Sequence, residues 1–364
     1  MDLILLDDNF DNLPYIINNY ESYILSNKWF ETGGFDLTMP TVNSFEMFDE
    51  ARYIYNQDND DCAIITKKTS EGVNGIIING KSLEHLMSWR VINEEISLDD
   101  TVENAVRDVV TRFAIAGNRA ITRLELAPLT GYTEHYTGVT ETGKTLESWL
   151  YDTLKPYEMS YRIKYNYVNN TLTFSVVKGL DRTQDQMTNT PATFSTDLKN
   201  ITDILYENDD SNLKNFAYIN GEYNNNTVTE IIDNTSGGER REIYLKPSIS
   251  SDESDISTLD KYKAVLRQKG IEALTEYKII ESASCTMLNK MMDDEDDEND
   301  TLEYGVDYNI GDICDLIIPE LGLMWSVMIT AVDIVYDRNG TNIYPKFGED
   351  DLTDIQYIER AMKN

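Results

Sequence analysis

Short apolar runs of period two, separated by turn residues, fill the first eighty positions and predict strands. They fall at Leu3–Leu6, Tyr15–Phe30, Phe35–Met39, Tyr53 with Tyr55, Cys62–Lys67 and Gly75–Ile78. Asp7-Asp8-Asn9, Gly33-Gly34, Pro40, Asn56–Asp60 and Asn74-Gly75 punctuate them, and strands at this spacing point to a barrel or sandwich. The period then changes. Lys81–Trp89 reads as a short helix with Leu83, Leu86 and Met87 on one face and the cation Arg90 at its C-terminus. Asp100 and Glu103 have capping-box spacing ahead of Val102, Val106, Val109 and Phe113, a helical stripe that Gly117 ends. A strand over Ala120–Leu126, a Gly/Thr/Tyr-rich loop over Pro128–Gly138 and a helix over Thr145–Leu154 stopped by Pro156 follow. Met159–Tyr167 and Thr171–Val177 then pair across Asn169-Asn170.

At Gly179 the alternation stops, and Asp181, Arg182, Thr183, Gln184, Asp185 and Gln186 form an unbroken polar run before Pro191 and the apolar Ala192–Phe194. Such a run is either a solvated turn or a polar seam. Strand character returns at Phe216–Ile219, Val228–Ile232 and Arg240–Leu245, with turns at Asn224–Asn226 and Gly237-Gly238. Ser257–Tyr277 is a helix weakened by Gly270. Strands follow at Tyr277–Met287, Asp312–Ile318, Leu323–Tyr336 and Thr341–Phe347, the last two joined by a turn ending in Asn339-Gly340, and Asp350–Met362 is a closing helix. The expected fold is mainly β with α/β insertions, an α+β chain. Its expected parts are a β module over 1–95, an inserted α/β domain over 96–178, a second β module over 179–250 and 278–348, a helical insertion over 251–277 and a short C-terminal helix over 349–364.

Composition narrows the function. The 364 residues, 41% of them hydrophobic, suffice for two or three cores. Asp and Glu number 65 against 31 Lys and Arg, a formal charge of −34, which argues against a surface that grips nucleic-acid phosphates. Cys62, Cys285 and Cys314 are few, odd in number and widely spaced, so neither a disulfide framework nor a paired-cysteine metal site is indicated, and a reducing cytoplasm is the expected folding compartment. The start, MDLILLDDNF, is not a signal peptide, and no apolar stretch reaches the roughly 20 residues that span a bilayer.

Candidate chemistry is sparse. His85 and His135 are the two histidines, and neither accompanies a Ser or Cys nucleophile motif. HExxH is absent, and TGKT at Thr142–Thr145 lacks the leading glycine of a phosphate loop. The run DDEDDEND, Asp293–Asp300, attracts cations, but Glu298 stands where a calcium loop needs glycine. Pairs of carboxylates carry no information in so acidic a chain. No catalytic residue, metal or cofactor is expected.

Four stretches in order carry a resemblance. KGLDRTQDQ followed by PATFS is similar to the central signature of the hub proteins of siphophage tail tips, which are related to the baseplate hubs of contractile tails. WFETGGFDLTMP (Trp29–Pro40) resembles the family's N-terminal strand pair, INGKSLEHLMSWR (Ile78–Arg90) its strand-to-helix step, and YNIGDICDL with YPKFGE its C-terminal barrel. The resemblance implies two tube-type antiparallel β-barrel modules per chain in a homotrimer of pseudo-sixfold symmetry. Implied neighbours are the distal tail protein, the tape-measure protein and a receptor-binding, fibre or spike protein, with DNA passing only through the lumen. The place implied is the virion tail tip, after synthesis in the host bacterial cytoplasm. Interface or structural candidates on this reading are Trp29, Gly34, Phe35, Arg90, Asp181, Arg182, Gln186, Gly311, Asp312, Phe347 and Gly348. The chain ends shortly after FGE, so the hub module alone is expected. A tail-associated cell-wall hydrolase and a carbohydrate-binding adhesion module are the alternatives.

Overall fold

The computed structural model describes residues 1–40, 45–70, 72, 75–249, 258–288, 302–338 and 340–348. The acidic run Asp293–Asp300, the closing helix Asp350–Met362, Asn74 and Asn339 lie outside them. Strands dominate, most of them antiparallel, and the chain divides into two units. The first consists of Met1–Lys178, Leu213–Lys278 and Val335–Gly340; the second of Gly179–Asn212, Ile279–Ile334 and, among the described residues, 341–348.

In the first unit Ser22–Lys28, Gly34–Met39, Ile76–Ser82, Asp61–Ser70, Tyr53–Asn56, Leu3–Leu6 and Asn12–Ile17 lie side by side in that order, each antiparallel to the next. The predicted strand Tyr15–Phe30 is two strands, because the polar residues 18–21 interrupt its apolar side. Strict alternation of buried and half-buried positions over Gly34–Met39 buries Phe35, Leu37 and Met39. The expected closed barrels are not seen among the described residues. Among the described residues the pairings form an open antiparallel sheet that ends on Asn12–Ile17.

The same apolar core continues into residues 96–178. One cluster joins Ile4, Leu6, Tyr53 and Ile64 to Leu86, Val106, Trp149, Tyr161 and Val176. Helix α1 (Val102–Val110) buries Val102, Val106 and Val109, and a wider turn over Thr111–Ile115 carries Phe113 inward as well. Its cap differs from the predicted box. Thr101 accepts from the Asn104 N–H, while the Glu103 carboxylate turns away and accepts from the backbone N–H groups of Thr130, Gly131 and Tyr132, at 2.8, 2.8 and 3.2 Å. That anchor holds the Gly/Thr/Tyr-rich loop, whose end, His135–Val139, pairs with Ser97–Thr101 as a strand that the sequence did not announce. Helix α2 (Leu146–Leu154), capped by Thr145, inserts Leu146, Trp149, Leu150 and Leu154 into the core, each burial worth about 2 kcal/mol. The predicted hairpin forms as Met159–Asn166 with Thr171–Lys178, turning through Asn170 at φ 52°, and the predicted strand at Ala120 shortens to Leu124–Leu126, parallel to it.

Residues 213–278 form a small sheet and a helix with a core of their own. Phe216–Tyr223 lies between Asn226–Asp233 and Glu242–Leu245, and α3 (Leu259–Thr275) covers one face. Gly270 weakens α3 locally yet fits its packing: a Cβ there would stand 2.6 Å from Ile232 and 2.7 Å from Ile219.

In the second unit Ile201–Asp209, Ile280–Met287 and Gly340–Gly348 are consecutive neighbours, followed by Leu323–Asp337, Ile313–Ile318 and Thr193–Ser195. Ile201–Asp209 went unpredicted because little of it is buried and a bulge between Thr202 and Leu205 breaks its alternation. No helix among the described residues is long and apolar enough to cross a membrane.

Candidate functional site

The polar run after Gly179 is folded into the second unit. Gly179 lies against the backbone of Gly311, which is itself at φ 93°, and a Cβ on Gly179 would run into the Gly311 carbonyl. This close approach lets Asp181 bridge Ile313 and lets the Arg182 N–H donate to the Ile313 carbonyl at 2.7 Å. Arg182 and Asp312 are both buried, and Nε donates to Oδ2 at 2.7 Å. The other donors to the Asp312 carboxylate are the N–H groups of Leu180, at 2.8 Å, and Asn309, at 2.9 Å. A buried ion pair whose oxygens are further hydrogen-bonded holds its geometry, and removal of one partner strands the other charge at a cost of about 3–5 kcal/mol.

The rest of the run closes on itself. Gln186 takes the N–H groups of Thr188 and Asn189 on Oε1, both at 2.7 Å, and donates through Nε2 to the carbonyls of Thr183 and Asn189. Asp181 accepts from the Thr183 hydroxyl at 2.7 Å. Asp315, buried inside a strand, accepts from the Gln184 N–H and the Ser326 hydroxyl, each at 2.7 Å. Asn200, fully buried, accepts from the Ser195 N–H and donates to the Thr193 carbonyl. Sequence reasoning missed Asp315 and Asn200. The available signal was a carboxylate in the middle of the apolar run ICDLII.

Three separately quoted stretches therefore converge. Thr193–Ser195 runs parallel to Asp315–Ile317, and the Phe194 ring meets Tyr308 at 5.0 Å and Phe347 at 4.9 Å, edge to face in both cases. Gly348, at φ 75°, accepts from the Thr330 hydroxyl and packs where a Cβ would strike the Glu281 carbonyl. The Arg182–Asp312 pair is thus buried and not part of an exposed turn. It is a clasp within one unit. Burial, with Asp312 adding to it, pushes the Cys314 thiol far above its ordinary range, which leaves the sulfur unreactive.

The first unit brings together the other two stretches, since Gly34–Met39 pairs with Ile76–Ser82 from Gly34↔Lys81 to Met39↔Ile76. Gly34 has no room for a side chain against the Gly80 carbonyl, and the Phe35 ring fills the space a Cβ on Gly80 would take. Trp29 is buried, donates to the Glu158 carbonyl at 3.3 Å and lies under the Arg162 guanidinium, 4.7 Å from its ring. It is a packed core residue and not a stacking platform. Arg90 donates to the Arg119 carbonyl at 2.6 Å and the Ala120 carbonyl at 3.3 Å, so it ties the end of the short Leu83–Trp89 helix to the next turn.

The residues weighed for catalysis are engaged structurally. His85 faces Glu147 and Ser88, each at 3.4 Å, but the Ser88 hydroxyl donates to the His85 carbonyl at 2.7 Å, which turns its proton away from the ring. His135 is an exposed partner of Asp99. Lys144 of TGKT pairs with Glu141 and Asp152. Among the described residues no three His, Cys, Asp or Glu side chains form a cluster able to hold a metal.

Three solved structures share the architecture across nearly the full length of both chains. A tail protein from Neisseria meningitidis MC58 is 13% identical with a TM-score of 0.60, covering 96% of each chain. The 43 kDa tail protein of prophage MuSo2 from Shewanella oneidensis is 11% identical at 0.56, covering 96% of this chain and 98% of that one. Prophage tail protein gp18 from Listeria monocytogenes EGD-e is 14% identical at 0.55, covering 100% and 99%. No curated protein sequence matches. The profile of the siphovirus ReqiPepy6 Gp37-like proteins matches residues 3–349, which include every strand and clasp residue described above, and the chain therefore belongs to that family of siphovirus tail proteins.

Proposed function

We propose that this tail protein is the tail-tip or baseplate hub: three copies form a ring of pseudo-sixfold symmetry, each contributing two tube-type β modules around a bore. The modules are residues 1–95 and the second unit, 179–212 with 279–334 and 341–348, and the ring joins the sixfold tail tube and distal tail protein to a threefold fibre or spike. The tape-measure protein and then DNA pass through the bore. The single observation that carries this reading is the family match over residues 3–349. The open sheet of the first unit fits a wall that closes only between copies, because an unpaired edge is satisfied by an adjoining strand. Interfaces of an obligate ring are large and rather apolar. Gly34, Arg90, Gly311 and the Arg182–Asp312 clasp shape the walls from within. An excess of carboxylates, 65 against 31 cations, gives a bore that repels phosphates and lets DNA slide.

Native mass spectrometry and electron microscopy of the purified chain, alone and with its distal tail protein, test the proposal. A trimeric ring is expected. A monomer under both conditions contradicts it, and a bore lined by Lys and Arg removes the sliding argument alone.

A further inference from the structure

Residues 213–278 are joined to the rest of their unit by groups that keep a partner without the join. Asn215 knits the start of the segment to its own far strand, accepting from the Arg241 N–H and donating to the Glu239 carbonyl, both at 2.8 Å. The Lys214 N–H donates to the Tyr277 carbonyl at 2.8 Å, so the chain enters and leaves the segment side by side. One apolar side chain from elsewhere, Val139, enters its core among the described residues.

The contacts of α3 and its cap residue Glu276 with residues 135–157 are otherwise polar. Lys269 meets Glu141 at 2.6 Å, the Gln268 amide lies 3.3 Å from the Tyr157 hydroxyl, and Glu276 meets Lys155 at 3.1 Å. The first two contacts are duplicated on each side. On α3, Lys269 also holds Glu272 at 3.1 Å, and the Gln268 amide lies 3.4 Å from that carboxylate. Opposite, Glu141 also holds Lys144 at 3.3 Å, and the Tyr157 hydroxyl donates to the His135 carbonyl at 2.9 Å. In the third contact Glu276 is 58% exposed, so water replaces its partner. Separation therefore strands no buried charge, which is the chief resistance to parting ion pairs. Helix α2 of the same unit differs: Leu146, Trp149, Leu150 and Leu154 lie in the shared core, and it cannot leave without unfolding that core.

We propose that residues 213–278 are a hinged module, a sheet and α3 that lift off residues 135–157 as one folded piece, turn about the paired Lys214 and Tyr277, and dock again. A junction with one apolar contact and exchangeable polar ones permits such motion, and a private core keeps the moving piece folded. The inference does not rest on the ring, and its test is read whatever the oligomeric state.

Labelling of the folded full chain with iodoacetamide, followed by intact mass, is the experiment, with the unsubstituted chain as background. Val139→Cys and Gln268→Cys, at positions 3% and 7% exposed, report the two sides of the junction. Ala217→Cys reports the core of the module and Ala105→Cys the core shared with α2, at positions 0% and 2% exposed. The two junction thiols should react at similar rates, at least about tenfold faster than the two core thiols. Adding Glu141→Gln should speed the junction thiols about fourfold and leave the core thiols unchanged. Equal rates at all four positions, or a Glu141→Gln effect shared by Ala217→Cys, overturn the proposal by making the opening an unfolding of the module. Fast reaction at Val139→Cys alone also overturns it, by making the opening a fraying of His135–Val139. If Val139→Cys fails to fold by circular dichroism, Gln268→Cys against Ala217→Cys decides, and equal rates there contradict the hinge.

Discussion

Residues 179–195 and residues 213–278 are both rich in charged and amide side chains, and they use them in opposite ways. In the clasp the central polar groups, Arg182, Thr183, Asp312 and Asp315, are buried and hydrogen-bonded: the Asp312 carboxylate alone holds Arg182 and two backbone N–H groups. In the smaller sheet and its helix the apolar core is private. Among the described residues only Val139 joins that core from outside 213–278. Its further attachments are polar: Lys269 to Glu141 at 2.6 Å, Lys155 to Glu276 at 3.1 Å and Tyr157 to Gln268 at 3.3 Å. A polar group costs much to disturb where water cannot replace its partner and little where water can.

Substitutions sharpen this contrast from the largest effect downward. Asp312→Ala should lower stability by about 4 kcal/mol in urea unfolding, because it strands a buried guanidinium and two N–H groups. Gly179→Ala should cost about 3 kcal/mol, since its Cβ meets backbone and no rotamer relieves it. For Gly270→Ala helix propensity alone gives a gain of about 1 kcal/mol, but collision with Ile219 and Ile232 should turn this into a net loss of about 1 kcal/mol. A rise in thermal midpoint for that variant would show that α3 is free to move off its sheet. Lys155→Ala should change stability by no more than about 0.5 kcal/mol, as its partner Glu276 is more than half exposed.

Attachment of α3 should also follow pH. Burial raises the Glu141 carboxyl, but Lys269 and Lys144 outweigh it and hold the group below its ordinary 4.5. A depressed acid stabilises above its unfolded value and loses that contribution as pH falls through the folded one, so hydrogen-exchange protection of α3 should drop below pH 4.5. Lys269 is raised above 10.5: burial opposes its charge, and Glu272 and Glu141 prevail. Its contribution is present below 10.5 and is lost as pH rises through the higher folded value. Glu272, raised by burial, titrates in the opposite sense to Glu141. Glu141→Gln should therefore abolish the acid limb specifically.

Much of the first unit was legible because half-buried strands and amphipathic helices announce themselves by period. Gly34–Met39, α2 and the hairpin turning at Asn170 are near where alternation and spacing put them. His135–Val139 and Ile201–Asp209 were not, since their order comes from a carboxylate anchor and from edge pairing, neither of which leaves a hydrophobic rhythm. Of the clasp, the resemblance to tail-tip hubs marked Asp181, Arg182, Gln186, Gly311 and Asp312 as candidates but not which meets which. Leu180 and Arg182 lie 132 and 130 positions from Asp312, and periodicity carries no information at that range.

The most direct test of the clasp is a double-mutant cycle of Arg182→Ala and Asp312→Ala, followed by urea unfolding at low and at hundredfold higher protein concentration. A coupling of about 2 kcal/mol that is the same at both concentrations is the predicted result, because the pair lies within one unit of one chain. A coupling near zero, or one that emerges only at the higher concentration, would contradict it and make the pair a contact between subunits.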